Sequence, residues 1–205
     1  MRNLCTTTPK ELHRHDPTLD CILGLRDAIM TSADVIVVGA SFAGLACARS
    51  AAQRGLRVHV LESKPSVEAR PSTTGILVRE AAEILDLPVH QLGRKPLVRT
   101  IEGVRLYAPN LESIDLRAPD YYFQATDLPR LMRWMAERTA SAGAQIRFSS
   151  TFRSGTVVPQ GYRINDTGET ARFLVGADGA RSRVAAHFGL GRNERFLVGV
   201  EHEYR

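Results

Sequence analysis

Two glycines and a serine after a valine-rich stretch have the spacing of a dinucleotide-binding turn. In VVGASFAGLA, Gly39, Ser41 and Gly44 occupy the three positions that a Gly-x-Gly-x-x-Gly fingerprint gives to glycine. A pyrophosphate binds at such a turn because free N–H groups at the helix N-terminus point at it and the helix dipole favours negative charge. The candidate pyrophosphate-binding residues are therefore Gly39, Ser41, Phe42, Ala43 and Gly44.

Each position of the fingerprint has its own physical requirement. The first glycine permits the tight turn, the second lets the backbone approach the phosphate, and the third lets the helix pack close to the strand. Ser41 stands at the approach position, where its Cβ takes some room but its hydroxyl can donate to a phosphate oxygen. We expect the serine to be tolerated. The alternative is a tight strand-to-helix turn that binds no ligand.

An acidic residue lies at the distance expected for a ribose ligand. Glu62 follows Gly44 by 18 positions, close to the roughly 20 that separate the fingerprint from its acid. Its carboxylate would accept hydrogen bonds from ribose hydroxyls and repel a 2′-phosphate. The alternative for Glu62 is an exposed acid at the end of a strand.

The elements around these residues predict an α/β fold of the Rossmann type, with three layers and a parallel sheet. The first unit is a strand at 34–38, a helix at 45–54 and a strand at 57–61. Further predicted elements are a helix at 76–85, two strands in 103–116, a helix from Asp127 to about 142, a strand at 146–148, strands within 152–164 and 171–175, and a helix after the turn that begins at Gly176.

Composition limits the class of protein. The 205 residues are 43% hydrophobic and carry a net charge of +5 in scattered basic residues, which does not favour nucleic acid. Cys5, Cys21 and Cys47 have neither metal spacing nor a disulfide pattern, and no apolar run is long enough to span a bilayer. We predict a cytoplasmic protein without a metal site.

The first residues differ in pattern from the rest of the chain. They lack the apolar region of a secretory signal, and we predict that 1–32 form an extension without stable structure. Met30 stands just before the first strand, so the natural start is either Met1 or Met30. The intact mass of the natively expressed protein distinguishes the two starts.

Three stretches resemble FAD-dependent oxidoreductases of the aromatic-hydroxylase and geranylgeranyl-reductase type. They are VVGASFAGLACARSAAQRGLRVHVLE, LMRWMAERTASAGAQI and FLVGADGARSRVA. The resemblance covers about 33–205 and implies FAD as cofactor, with NADH or NADPH as reductant. It implies a small-molecule substrate of apolar or aromatic character. A simple NAD-dependent oxidoreductase has no need of the third stretch, but it stays an alternative.

The resemblance also places further residues at the cofactor. It implies that Asp178 and Gly179 lie beside the flavin nucleotide's pyrophosphate, and that Arg70 lies near its ribose or isoalloxazine. Arg49 and Gln124 are weaker candidates, and many relatives carry an arginine near the position of Gln124. No side chain can be identified as a catalytic acid, base or nucleophile.

The resemblance implies that the chain corresponds to the N-terminal half of such an enzyme. We expect 33–205 to form the FAD/NAD(P)-binding domain, with inserted strands of a partial antiparallel substrate domain at about 97–122 and 196–205. A third fingerprint, a Gly-Asp-Ala-like stretch, is not found after Gly179. The function expected from the resemblance is an FAD-dependent monooxygenase or prenyl-chain reductase, whose site another chain could complete. The alternatives are a non-catalytic nucleotide-binding remnant and a simple NAD-dependent oxidoreductase.

Overall fold

The computed structural model describes residues 32–69, 73–85 and 97–200, and these form eleven strands and four helices. The strands are β1 (Ala33–Val38), β2 (Val58–Leu61), β3 (Ile76–Val78), β4 (Leu97–Ile101), β5 (Gly103–Tyr107), β6 (Ser113–Arg117), β7 (Phe123–Thr126), β8 (Gln145–Arg147), β9 (Gly155–Val158), β10 (Gly161–Ile164) and β11 (Thr170–Gly176). The helices are α1 (Phe42–Ala52), α2 (Arg79–Ile84), α3 (Leu128–Ser141) and α4 (Arg183–His187).

A six-stranded sheet with the order β8-β2-β1-β11-β10-β9 forms the centre of the fold. Its first four strands are parallel, and β11, β10 and β9 form an antiparallel meander. Two small antiparallel sheets, β3-β7-β4 and the two-stranded β5-β6, make up the rest. The carboxyl ends of four parallel strands therefore meet at one edge, where α/β sheets commonly bind ligands.

Alternate residues of β1 and β2 face two separate cores. Val35, Val37, Val58 and Val60 are buried on the face that α1 and α3 cover. On the other face, Ile36 and its neighbours pack with side chains from the meander and from α4. Strands buried on both faces explain why these segments read as nearly continuous apolar runs.

Helix α3 is amphipathic and well capped, which explains its length. The Asp127 carboxylate accepts a hydrogen bond from the Arg130 N–H at 3.1 Å, and a proline occupies the first turn. Its buried residues recur at helical spacing and are Leu128, Leu131, Met132, Met135, Ala136 and Thr139. Among the helices of the described ranges, none is long and apolar enough to cross a membrane.

The buried Glu169, which directly precedes β11, contacts residues of β2 and β8 through its carboxyl group. His59 Nδ1 lies 2.5 Å from Glu169 Oε1, and both residues are buried. Arg147 Nη1 lies 2.9 Å from the other oxygen of Glu169, at ion-pair distance but without hydrogen-bond geometry. The buried Glu169 carboxyl group thus has a partner on each oxygen, as burial of a polar group requires.

Most of the predicted elements are confirmed, and two segments differ. Residues 76–78 form a strand and not the start of a helix, because they pair with β7. The described part of the predicted strand at 196–205 forms no strand, since nothing pairs with it in the described residues. The predicted extension lies outside the described residues as far as position 31, as do Arg70 and 201–205.

Candidate functional site

A cleft of about 540 Å³ opens at the carboxyl edge of the parallel strands. Four segments line it: the turn after β1 with Gly39 and Ser41, the residues at 61–64, those at 150–152, and the loop between 177 and 183. The first, second and fourth segments carry residues that the sequence singled out. The structure thus brings together the glycine turn at 39–44, Glu62 and the loop that contains Asp178 and Gly179.

The glycines of the first turn leave no room for a side chain. A Cβ on Gly44 would lie 1.9 Å from the Gly39 carbonyl oxygen, and a Cβ on Gly39 would lie 2.4 Å from that of Ala177. Gly39 also has a φ of +103°, which favours glycine. The Ala177 N–H donates to the Val38 carbonyl at 2.8 Å. The glycine turn and the loop that begins at Ala177 are therefore in direct backbone contact.

Ser41 is the N-cap of α1 but does not cap it through its side chain. Its carbonyl accepts the N–H of Leu45 at 2.9 Å, while its hydroxyl makes no cap hydrogen bond. The first N–H groups of a helix have no partner within the helix, so those of Phe42, Ala43 and Gly44 can receive an anion. The exposed Ser41 hydroxyl adds a fourth donor.

Glu62 follows β2 and is buried, with 7% of its surface exposed. One carboxylate oxygen accepts the Ala40 N–H at 2.7 Å. The other accepts the Lys64 N–H at 2.9 Å and the Ser63 hydroxyl at 3.2 Å. A carboxylate has about four acceptor positions, so one remains for a ribose hydroxyl. Because the carboxylate is fixed by backbone donors, it faces the cleft in one orientation.

The Asp178 carboxylate stabilises the loop in which it lies. Its carboxylate accepts from the Ser182 hydroxyl and the Arg183 N–H, both at 2.6 Å, and from the Val184 N–H at 3.3 Å. These bonds fix the turn into α4 and position Gly179, whose φ is +87°. The structure thus shows Asp178 as a local cap that also lines the cleft. Its role at a pyrophosphate stays a prediction.

Several predicted residues lie elsewhere or outside the described residues. Gln124 is buried in β7, away from the cleft, and Arg49 lines a different cavity beside Trp134. Arg70 lies outside the described ranges.

Sequence reasoning also missed part of the cleft. It did not identify 150–152, Lys64, Arg181 or Arg183. Arg181 and Arg183 lie two and four positions after Gly179 and could have been found from that spacing, whereas 150–152 have no local motif.

The cleft brings together the parts of a dinucleotide-binding turn. Because Gly39 and Gly44 carry no side chain, the turn after β1 is tight and α1 packs close to the strand, and Ser41 occupies the position where the backbone would approach a phosphate. The turn that precedes α1 lines the cleft with Gly39 and Ser41, and Glu62 is fixed at the end of the neighbouring strand. This combination is the physical requirement for pyrophosphate and ribose recognition at a parallel sheet.

Comparison with known sequences gives a family and a set of relatives. The family model described as FAD binding domain matches residues 32–198. The digeranylgeranylglycerophospholipid reductase 2 of Methanosphaera stadtmanae is 28% identical over 182 residues, which are 82% of this chain and 44% of that protein. The corresponding reductase of Methanosarcina acetivorans is 27% identical, over 77% of this chain and 40% of its own length. This chain therefore spans less than half of these relatives.

Solved structures share the fold. A geranylgeranyl bacteriochlorophyll reductase-like protein from Thermoplasma acidophilum superposes with a TM-score of 0.60 at 23% identity, covering 72% of this chain and 39% of that one. Aklavinone-11 hydroxylase, in a ternary complex with FAD and aklavinone, gives a TM-score of 0.58 at 23% identity, with 78% and 35% of the two chains covered. At these identities the likeness concerns the fold alone.

Proposed function

The chain belongs to the FAD-binding domain family, and on that basis we propose that it is the FAD-binding half of an NAD(P)H-dependent oxidoreductase. The observation that carries the proposal is the convergence of the glycine turn, Glu62 and the Asp178 loop on one cleft. Gly39, Ser41 and Gly44 would hold the pyrophosphate, and Glu62 would hold the adenosine ribose. Asp178 would keep the loop closed beside them.

The reaction type depends on the cofactor more than on any side chain. Bound FAD supplies hydride transfer and oxygen chemistry. The curated relatives include prenyl-lipid reductases and the structural neighbours include hydroxylases. We propose a prenyl-chain reductase or a monooxygenase that acts on an apolar or aromatic small molecule.

A nicotinamide nucleotide is the proposed reductant. We expect the FAD-loaded protein, kept anaerobic, to lose its visible flavin absorption when NADH or NADPH is added, because hydride transfer reduces the flavin. Stopped-flow absorbance measures the rate with each nucleotide. Reduction by dithionite but by neither nucleotide would contradict the proposal and favour a nucleotide-binding remnant. A cytoplasmic location, which cell fractionation would test, provides both nucleotides.

A second polypeptide segment is proposed to complete the substrate side. The two-stranded ribbon β5-β6 has an apolar face of four exposed side chains, Val104, Leu106, Ile114 and Leu116. On its other face Arg105 and Asp115 form two hydrogen bonds of 2.5 and 2.7 Å, which lower the pKa of Asp115. An isolated two-stranded ribbon is only marginally stable in water. We therefore expect another sheet to pack on this apolar face and stabilise the ribbon.

Co-expression with the C-terminal remainder of the Methanosphaera stadtmanae reductase tests that proposal. We expect the two polypeptides to co-elute from a sizing column, and the double change Leu106→Asp and Ile114→Asp to abolish the complex because it places charges in an apolar contact. As a control, Arg105→Gln alters the opposite face and should leave the complex intact. Absence of a complex, or a complex that both variants leave unchanged, would contradict the proposal.

A further inference from the structure

Arg181 lies between two cavities and is the side chain that we propose as the counter-ion of the FAD pyrophosphate. It lines the cleft described above and also an adjoining cavity of about 490 Å³. Its guanidinium carbon lies 5.4 Å from the centre of the Phe196 ring. This inference rests on the proposed function, since it assigns a role within the same FAD site.

A pyrophosphate bound in the cleft would need positive charge near it, because acidic side chains already line the cleft. Glu62 and Asp178 both line it, and a pyrophosphate would add further negative charge. Gln124 is neutral, buried in β7 and absent from the lining of the cleft. Among the described residues, the basic side chains that line the cleft are Lys64, Arg181 and Arg183.

Position distinguishes these three cations. Lys64 lies at the ribose end, where its own N–H binds Glu62. Arg183 begins α4, and its N–H binds Asp178. Arg181 follows Gly179 in the loop whose Ala177 touches the pyrophosphate turn at Gly39. An arginine suits this place because its planar guanidinium can give two parallel hydrogen bonds to phosphate oxygens.

The Phe196 ring restricts the conformation of the exposed Arg181 side chain. A guanidinium over an aromatic face is attracted by the ring and restricted in its rotamers. In such an arrangement the N–H groups at the edge of the guanidinium stay available for hydrogen bonds. The half-exposed Phe196 ring lines the adjoining cavity and not the cleft, so it restricts the Arg181 guanidinium from that side. We assign Arg181 to pyrophosphate binding and Phe196 to positioning it.

The test compares ligands with and without phosphate. In Arg181→Ala, the Kd values for FAD and ADP should rise about 10- to 100-fold, the range of a lost hydrogen bond to a charged group, while the Kd of adenosine stays unchanged. Arg181→Lys should rescue part of the loss, because lysine keeps the charge but not the fork. Phe196→Ala should raise the Kd of ADP by about two- to fivefold. Arg192→Ala is the matched control, since Arg192 lines the adjoining cavity and not the cleft.

Two results would overturn the assignment while leaving the FAD site in place. One is an unchanged affinity for ADP and FAD in Arg181→Ala. The other is an equal loss for ADP and adenosine, which would mean that Arg181 only supports the fold of the loop. A wild-type protein that binds neither ADP nor FAD would overturn both this inference and the proposed function. Circular dichroism of each variant checks that the fold is retained.

Discussion

Replacing Gly44 by valine is expected to abolish FAD binding and to destabilise the protein. The first added atom would lie 1.9 Å from the Gly39 carbonyl oxygen, which is backbone and cannot rotate away. The start of α1 must then move away from β1, and the pyrophosphate turn opens. Overpacking of a buried site costs about 1–3 kcal/mol or more. We expect a loss at the upper end of that range, because the displaced segment also contacts the loop at Ala177.

Thermal unfolding and flavin retention after a desalting column measure the two effects of Gly44→Val. Ser41→Ala serves as the control in the same turn. Because the Ser41 hydroxyl makes no cap hydrogen bond, its removal should change the free energy of unfolding by less than about 0.5 kcal/mol. FAD affinity should fall only by the contribution of one neutral donor. A Gly44→Val protein that keeps both its flavin and its unfolding midpoint would show that the turn is not the binding site.

Replacing Glu62 by alanine is expected to weaken FAD binding by about 10- to 100-fold, the effect of losing a hydrogen bond to a charged group. Two causes act together. The ribose loses its acceptor, and the buried Ala40 N–H loses the partner that it binds at 2.7 Å. An unsatisfied buried donor costs about 1–3 kcal/mol of stability, so the turn next to Gly39 should also loosen.

Glu62→Gln separates charge from shape. Glutamine keeps the size of the side chain, but its NH₂ group would face the N–H of either Ala40 or Lys64, where glutamate accepts. We therefore expect Gln to rescue little of the affinity. Glu68→Ala is the control carboxylate, because Glu68 binds Arg133 at the surface, outside the cleft. Fluorescence titration with FAD gives all the constants, and equal affinities for wild type, Glu62→Ala and Glu68→Ala would rule out Glu62 as the ribose ligand.

The parts of the site that the sequence predicts are those encoded locally. Gly39, Ser41 and Gly44 are read from one turn, since steric and hydrogen-bonding demands act within a few residues. The strand before the turn, the helix after it and the acid at Glu62 are predicted from hydrophobic pattern and spacing in the same way. By contrast, the helix predicted at 76–85 is wrong over 76–78, because those residues pair with β7 in a tertiary contact that overrides local propensity.

The rest of the cleft depends on contacts between distant segments. Residues 150–152 line it because β8 pairs with β2, and the Ser150 N–H then donates to the Glu62 carbonyl at 2.8 Å. His59 and Glu169, 110 positions apart, meet only once the meander folds against the parallel strands. Arg181 has a recognisable position after Gly179, but its contact with Phe196 could not be predicted from spacing.

The central claim is that this chain binds FAD in the cleft at the carboxyl edge of its parallel strands. The most direct test is the visible spectrum of the purified 205-residue protein after incubation with FAD and removal of free cofactor. We predict flavin absorption bands that co-elute with the protein, and free flavin released on denaturation. A protein that stays colourless after soaking, although circular dichroism shows it folded, would contradict the claim.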